Sequence, residues 1–491
     1  MNKLDSDINK VGWTFDNSYS KLPESFISKT SPTTVKSPRI KILNDELVKK
    51  LDLNFSEINN EDLSKLFSGN LLPNGSNSIA QAYAGHQFGH FTMLGDGRAL
   101  LIGEHILKNN ERFDIQFKGS GKTPFSRNGD GRAALGPMLR EYIISEAMNA
   151  LNVPTTRSLA VVETGENVVR ENVLQGAILT RVASSHLRVG TFQYIAARNN
   201  EDELKTLFNY TIDRHYPNIK QSKNQALDLL KVLMEKQIDL VINWMRIGFI
   251  HGVMNTDNMT ISGETIDYGP CAFMDTYDPQ TVFSSIDKLG RYAYFNQPSI
   301  TKWNLARFAE CLIPLIDNDK NKAIDIATET INTFENNYEI KWLNMMRDKL
   351  GFFGEDSKDQ VLILDLLTWM HQNKADYTNT FCFLMNKKIN NDKIYQDENF
   401  LIWKKRWHER LSLNNGTPEK CLKLMRSVNP LVIPRNHKVE EALTAANDND
   451  LNLLKKLIKI LNNPYQNQKN ISDYQIPVSP SEQKYKTFCG T

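Results

Sequence analysis

The order of hydrophobic and polar residues between positions 91 and 182 predicts β-strands around a single helix. The clearest alternation covers residues 113–118, where Phe113, Ile115 and Phe117 should face a core. The polar residues between them should then face solvent or a cleft. Two further strands, at 91–94 and 99–102, are expected to pair as a hairpin across a glycine-opened turn. Two more strands are predicted later in the chain, at 159–163 and 177–182.

Helical spacing accounts for most of the remaining chain. Pro137 is at a position favoured in the first turn of a helix and predicts one from 138 to about 151. Residues 259–261 and 265–267 are expected to form a small hairpin. The other predicted elements are helices, at 226–246, 304–316, 322–337, 360–372 and 440–461. This order predicts an α+β fold with a largely helical C-terminal half.

Composition narrows the function classes. The 491 residues are 40% hydrophobic and 24% charged, which is typical of a soluble globular protein. A net charge of +2 without a dense Lys/Arg block argues against a nucleic-acid or membrane partner. No apolar run approaches the roughly 18–20 residues that span a bilayer, and the acidic start of the chain resembles no signal or transit peptide. We therefore expect a cytoplasmic protein of bacterial type, acting as a monomer.

The five cysteines and a histidine pair do not indicate a metal site. No two cysteines form a C-x-x-C pair, which argues against structural zinc. His86 and His90 have i, i+4 spacing, but they lie among glycines and lack an evident third ligand. Three cysteines are predicted to be core residues because they lie among apolar neighbours: Cys311, Cys382 and Cys421.

One motif carries the strongest chemical information. Protein kinases place H-x-D-x-x-x-x-N ahead of D-F-G, and the Asn and the second Asp bind Mg²⁺. Counting from His251, the metal ligands fall at Asn258 and Asp267, whereas Val253 occupies the position of the catalytic Asp. A valine cannot accept a proton, and a new carboxylate, Asp257, stands beside Asn258. The pattern predicts a nucleotide–metal site whose chemistry differs from that of an ordinary kinase.

The upstream residues complete this pattern. Lys118 ends a predicted strand, and Glu141 follows on the next helix, in the order that kinases use for their phosphate-binding Lys and its Glu partner. Gly95 and Gly97, with Arg98 beside them, would let backbone N–H groups approach phosphates. The segment Gly119–Thr123 imitates a P-loop, but Gln116 replaces its first glycine and Pro124 follows, so we reject that interpretation.

Additional positive charge follows in the same region. Asp130-Gly131-Arg132, Arg181 and Arg188 suggest extra clamps on a polyphosphate. Together these residues predict a protein-kinase-like two-lobed fold with a largely helical C-terminal lobe and extension. The expected division is an N-terminal extension, an N-lobe, a C-lobe with the metal loop, and a helical extension with a tail: 1–75, 76–182, 183–330 and 331–491.

With these motifs assembled, the chain resembles the selenoprotein O family, protein-kinase-like adenylyltransferases of bacteria and mitochondria. The resemblance covers about residues 75–491 and rests on long segments, of which the main ones are 83–89, 94–99, 116–121, 125–133, 251–258 and 267–270. Asn429-Pro430 with Arg435-Asn436, and the terminal Phe488–Thr491, also fit.

The resemblance implies that ATP binds in a flipped orientation and that AMP is transferred to Ser, Thr or Tyr hydroxyls of proteins. It implies that Asp257 is the proton acceptor and that Asn258 and Asp267 bind Mg²⁺. The outer phosphates would be held by Lys118, stabilised by Glu141, and by Arg181 and Arg188. The remaining residues of the nucleotide site would be Gly95, Gly97, Arg98, Asp130 and Gly131.

The resemblance also implies a redox link. In many bacterial members the residue after D-Y-G-P is a cysteine that can form a disulfide with a C-terminal cysteine, and the corresponding residues are Cys271 and Cys489. Three alternatives to AMP transfer stay open at this point: UMP transfer from UTP with Mn²⁺, an atypical protein kinase, and a nucleotide-binding pseudokinase scaffold.

Overall fold

The computed structural model describes residues 10–387, 392–478 and 485–487. Its N-terminal half is built on one nine-stranded antiparallel sheet, in which seven strands follow the order β1-β3-β5-β6-β9-β8-β2. The other two, β4 and β7, pair with β3 and β9. The strands are β1 (Ile27–Lys29), β2 (Arg39–Leu43), β3 (Ile79–Gln87), β4 (His90–Gly95), β5 (Ala99–Ile106), β6 (Arg112–Lys118), β7 (Ala133–Ala134), β8 (Arg157–Val169) and β9 (Val173–Ala183).

Helices cover both faces of this sheet. On one face, α1 (Asp45–Lys50) and α2 (Asn60–Ser68) enclose a core to which β6 contributes Ile115 and Phe117. On the other face, α3 (Leu135–Ala150) packs on β8 and β9 and joins the main core. The predicted strand at 113–118 is therefore confirmed, with its apolar side in the α1–α2 core. The mixed α+β class is confirmed as well, whereas the domain limits stay predictions.

The predicted hairpin between 91–94 and 99–102 is wrong. Strand β4 pairs instead with β3, from Ala82↔Gly95 to Gln87↔His90. Strand β5 pairs with β6 along its length and meets β3 at Ile79↔Leu101. The 95–98 turn thus connects two strands that pair with different parts of β3. Strand β3 itself was not predicted, because its small and polar residues are weak strand formers.

The C-terminal half is helical. Its principal helices are α4 (Val189–Ala196), α5 (Glu201–His215), α6 (Gln225–Ile247), α7 (Gln297–Ile316), α8 (Lys320–Asn332), α9 (Phe334–Leu350), α10 (Asp359–Gln372), α11 (Tyr377–Leu384), α12 (Glu398–Ser412), α13 (Pro418–Val428), α14 (Asn436–Asn447), α15 (Asn452–Leu461) and α16 (Ser472–Gln475). A two-stranded sheet of β10 (Phe249–Ile250) and β11 (Ala272–Phe273) lies among them. Among the described residues, no helix is both long and apolar enough to cross a bilayer.

Three helical predictions match the structure in position but not in extent. Helix α7 begins seven residues before the predicted start at 304, at Gln297. The segments predicted as single helices at 322–337 and 440–461 are each divided in two. The second division includes Asn449, whose φ of 64° is left-handed and incompatible with a continuing helix.

The predicted hairpin at 259–267 is also wrong. Thr260 forms a bridge with Arg188, and Thr265 forms one with Thr155, so the two segments pair with different partners. The Thr260 hydroxyl accepts a hydrogen bond from the Glu264 amide at 2.9 Å and closes the turn itself. The segment is thereby paired with residues just before β8 and shortly after β9.

The C-terminal extension is anchored to the segment after Asp267. The buried Arg435 guanidinium forms ion pairs with Asp275 at 2.5 Å and Asp376 at 2.7 Å. The Asn436 amide hydrogen-bonds to both the backbone N–H and C=O of Phe273, at 3.1 and 2.9 Å. These contacts give the Arg435-Asn436 motif a structural role, which the sequence did not reveal.

We expect Arg435→Ala to destabilise the protein by about 3–5 kcal/mol, because two largely buried carboxylates would lose their cation. Urea unfolding followed by circular dichroism measures this loss. The control is Arg406→Ala, which removes a 2.6 Å ion pair with Asp365 whose side chains are both nearly half exposed; its cost should stay below about 1 kcal/mol. Equal losses in the two variants would contradict the anchoring role.

Candidate active site

A cavity of about 740 Å³ opens between the β3–β4 hairpin, the loop before β7 and the segment around residues 253–270. The predicted site residues that line it are Gly95, Gly97, Arg98, Lys118, Asp130, Gly131, Arg181, Arg188, Asp257, Asn258 and Asp267. The twelfth, Glu141, lies directly behind Lys118 on α3. The fold therefore brings together residues that are up to 172 positions apart in the chain.

At one end of this cavity, Lys118 is held between two carboxylates. Its Nζ lies 2.7 Å from Glu141 Oε2 and 2.9 Å from Asp267 Oδ1. Lys118 ends β6, and Glu141 lies near the middle of α3, so the pair joins the sheet to the helix that covers it. Burial alone would raise the pKa of Glu141, but Arg181 and Lys118 outweigh it and lower that pKa.

Two arginines complete the cluster. Arg181, fully buried on β9, contacts Glu141 Oε1 at 2.5 Å and Asp267 Oδ1 at 2.6 Å. Arg188, which precedes the first turn of α4, contacts Asp267 Oδ2 at 2.7 Å and the Asp257 carbonyl at 2.6 Å. Three cations thus converge on two carboxylates, Glu141 and Asp267.

Asp267 is the centre of this cluster. Its side chain is 24% exposed, and its backbone has a left-handed φ of 62°, which is uncommon for a residue other than glycine. Burial would raise the pKa of Asp267, but the charges of Arg181, Lys118 and Arg188 lower it well below its usual value. His251 supports the turn, because its Nε2 lies 2.9 Å from the Ile266 carbonyl oxygen.

Asp257 has a different environment. It is 8% exposed, and its Oδ1 has no hydrogen-bond partner among the described residues. Burial raises the pKa of Asp257 to about 6, although Arg188 acts in the opposite direction. A carboxylate with a raised pKa facing a cavity is suited to accept a proton.

Glycines allow the walls of the cavity to approach each other. A Cβ at Gly95 would lie 2.4 Å from the Phe125 ring, and one at Gly131 would lie 2.1 Å from the Gly121 carbonyl oxygen. Asp130, next to Gly131, forms an ion pair with Arg170 at 2.9 Å. The hydrogen bond from Arg170 lowers the pKa of Asp130, which keeps this carboxylate ionised at the mouth.

The donor set for a metal is compatible with Mg²⁺. Asn258 and Asp267 both line the cavity and offer an amide and a carboxylate oxygen, and Mg²⁺ commonly takes one or two protein ligands together with phosphates and waters. Over the described parts of the chain, no cluster of three or more His, Cys, Asp or Glu side chains could hold a metal by itself. Asp267 Oδ1 accepts bonds from Lys118 and Arg181, and Oδ2 accepts one from Arg188, so a metal at Asp267 would compete with these cations for the carboxylate.

Several cavity residues were not among those predicted, and Asp96 and Tyr83 have the most distinctive surroundings. Asp96 is only 2% exposed and accepts a hydrogen bond from the backbone N–H of Gln81 at 3.1 Å. Burial raises the pKa of Asp96 to about 6. The Tyr83 ring lies 4.7 Å from the Arg188 guanidinium. The position of Asp96 between Gly95 and Gly97 was the available signal, whereas nothing local marks Tyr83 as a partner of Arg188.

The cysteine predictions divide into two groups. Cys311, Cys382 and Cys421 are buried, as expected of core residues. Cys271 is also buried, directly after Pro270, which lines the cavity. Cys489 lies outside the described residues, so its pairing with Cys271 stays a prediction.

Comparison with known proteins gives a consistent result. The family model "Protein adenylyltransferase SelO" matches residues 10–462. A protein nucleotidyltransferase YdiU of Pelagibacter ubique is 69% identical over 481 residues, covering 98% of this chain and 100% of that protein. Proteins of the same name from Nitrosococcus oceani and Syntrophotalea carbinolica are 56% and 52% identical, and each alignment covers at least 98% of both chains.

The family model spans most of the chain, and the relatives align over nearly all of it. The matched region contains the cavity with its cation cluster, Asp257 and Asn258. The chain therefore belongs to the SelO family of protein adenylyltransferases.

Proposed function

We propose that the protein transfers AMP from ATP to Ser, Thr or Tyr hydroxyls of other proteins and releases pyrophosphate. Family membership gives the reaction class, protein nucleotidyl transfer. The choice of nucleotide, the orientation in which it binds and the residue roles are the proposal. The observation that carries it is the convergence of Lys118, Arg181 and Arg188 on Asp267 at one end of the cavity.

The cation cluster suits a pyrophosphate leaving group. When a hydroxyl attacks the α-phosphate, the departing β- and γ-phosphates carry the charge that develops in the transition state. Lys118, Arg181 and Arg188 are placed to stabilise that charge if the outer phosphates lie at their end of the cavity. The nucleotide would then be flipped relative to a kinase, with its nucleoside toward Gly95, Gly97, Arg98, Asp130 and Gly131.

Asp257 supplies the general base. It would take the proton of the substrate hydroxyl as the hydroxyl oxygen bonds to the α-phosphorus and the bond from that phosphorus to the pyrophosphate oxygen breaks. Asn258 and Asp267 would hold Mg²⁺, which when bound neutralises charge on the phosphates. The kinase-like order of Lys118, Glu141, Asn258 and Asp267 around one cavity supports a kinase-like fold with the usual base position replaced by Val253.

Label transfer tests the central proposal. We expect ³²P from α-labelled ATP, and not from γ-labelled ATP, to become covalently bound to protein in the presence of Mg²⁺. Parallel reactions with α-labelled UTP and Mn²⁺ test the alternative donor. Transfer of the γ-label alone would indicate an atypical protein kinase. Transfer of neither label from any nucleotide would favour a nucleotide-binding pseudokinase scaffold.

Two variants link this activity to the cavity. Asp267→Ala should abolish transfer by removing a metal ligand, and Lys118→Ala should slow it by roughly 10²–10³-fold, the usual effect of losing one preorganised charged group. Lys108→Ala, on an exposed side chain remote from the cavity lining, is the control. Full activity in both cavity variants would show that the site has been assigned wrongly.

The pH dependence should report Asp257. A general base must be deprotonated, so kcat/KM should fall about tenfold per pH unit below about pH 6 and level off above it. Because a terminal phosphate also titrates near this pH, ATP binding to Asp257→Asn should be measured over the same range and used as a correction. A corrected profile that stays flat to pH 4.5 would exclude Asp257 as the base.

We also propose a reversible disulfide between Cys271 and Cys489. Thr487, two residues before Cys489, donates a hydrogen bond to the Pro270 carbonyl at 2.6 Å and bridges Ser284, so the tail approaches the residue that precedes Cys271. Oxidation would remove two electrons and two protons from the thiols, with a disulfide such as oxidised glutathione as the acceptor.

After mild oxidation, non-reducing peptide mapping should find a Cys271–Cys489 cross-link that dithiothreitol removes, and transfer activity should rise on reduction. Cys489→Ser is the control and should be active without reductant. If Cys489 is never paired with Cys271, or if activity is indifferent to both treatments, the redox switch is eliminated while the transferase proposal is unaffected.

A further inference from the structure

The tip of the β3–β4 hairpin is bonded to the loop that carries Asp257. The backbone N–H of His86 donates to Thr256 Oγ1 at 2.8 Å, and the N–H of Phe88 donates to Asn255 Oδ1 at 3.1 Å. We call these two hydrogen bonds the hairpin latch. They join the strand pair that borders the nucleotide cavity to the two residues immediately before Asp257.

Close packing reinforces the latch. A Cβ at Gly85 on β3 would lie 2.0 Å from Asp257 Oδ1, so the carboxylate occupies the space that any side chain at position 85 would need. A Cβ at Gly190 would lie 1.9 Å from the Ala84 carbonyl oxygen and 3.3 Å from Asp257 Cα. The hairpin, the start of α4 and the Asp257 loop therefore meet with no room between them.

Tyr292 extends the contact to the segment beyond Cys271. Its hydroxyl donates to the same Asn255 Oδ1 at 2.7 Å, and its ring centre lies 5.2 Å from that of Phe88. Its backbone N–H donates to Asp287 Oδ2 at 2.8 Å. One amide oxygen thus receives donors from the hairpin and from the 284–294 region.

We propose that the hairpin latch positions Asp257 for proton transfer, with Asn255, Thr256 and Gly85 as positioning residues. The inference rests on the proposed function, because that proposal makes Asp257 the base. Asp257 Oδ1 accepts no hydrogen bond from the described residues, so its own bonds do not fix that oxygen. The location of Asp257 is set by its neighbours in the chain, by the surface of β3 and by the Arg188 hydrogen bond to its carbonyl.

The latch also couples the base to the nucleotide. Strand β4 leads from the latched tip to Leu94 and Gly95, which line the cavity. A displacement of the hairpin would therefore move a nucleotide-contacting strand and the base loop together. Misplacing a reacting group by about 1 Å can cost on the order of 10²-fold in rate.

Thr256→Val and Thr256→Ser provide a matched test. Valine preserves the shape of threonine and removes the acceptor of the His86 N–H, whereas serine keeps that acceptor. We expect Thr256→Val to lower kcat by roughly 10–100-fold with the ATP dissociation constant changed less than about twofold, and Thr256→Ser to restore most of the rate. Thr206→Val, on the exposed face of α5, controls for the substitution itself.

Amide hydrogen exchange tests the latch without using activity. Exchange at His86 and Phe88 should accelerate in Thr256→Val but not in Thr256→Ser or Thr206→Val. Tyr292→Phe, which removes one donor to Asn255 and keeps the ring, should lower kcat in the same direction by a smaller factor.

The outcomes separate the two proposals. Unchanged exchange in Thr256→Val, equal losses of kcat in its Val and Ser variants, or a loss of ATP binding in proportion to the rate would overturn the latch. An inactive wild-type enzyme, or full activity in Asp257→Asn, would overturn the assignment of the base instead, and the exchange data would still decide whether the latch holds the hairpin.

Discussion

The structure around the cavity depends on one partly buried carboxylate, Asp267, and on the three cations that contact it. Lys118 comes from β6, Arg181 from β9 and Arg188 from the start of α4, and each lies within 3 Å of an Asp267 oxygen. Burying these charges separately would be costly, so the cluster favours the packing of the strands and helices that carry them. Glu141 supplies the second carboxylate and joins α3 to the same group.

On the proposed function, the same arrangement would attract a polyphosphate. Three cations face two carboxylates whose pKa values are lowered, which leaves the cluster one positive charge in excess. On the proposed function, outer phosphates would take over the contacts that Asp267 now makes and would release its oxygens for Mg²⁺. Unlike Glu141 and Asp267, Asp257 has a raised pKa of about 6, because it is buried without a directly paired cation. It is therefore able to accept a proton.

Local patterns and the family resemblance predicted residues that the structure brings to one cavity, but not the contacts between them. The order of Lys118, Glu141, Asn258 and Asp267 is the one that phosphoryl transfer in kinases uses. In the structure three of them line one cavity, and Glu141 lies behind Lys118. The convergence of Arg181 and Arg188 on Asp267 depends on strand register and on the start of α4, neither of which has a local signal. Strand β3 was missed for a related reason: its pairing is imposed by β4, β5 and the loop before Asp257, not by its own composition.

The most direct test is a crystal structure with Mg²⁺ and an ATP analogue whose α–β bridging oxygen is replaced by a methylene group. We expect the β- and γ-phosphates within hydrogen-bonding distance of Lys118, Arg181 and Arg188, the α-phosphate facing Asp257, and Asp267 bound to the metal. A nucleotide with its γ-phosphate facing Asp257 and the Asp267 cluster unchanged would contradict it.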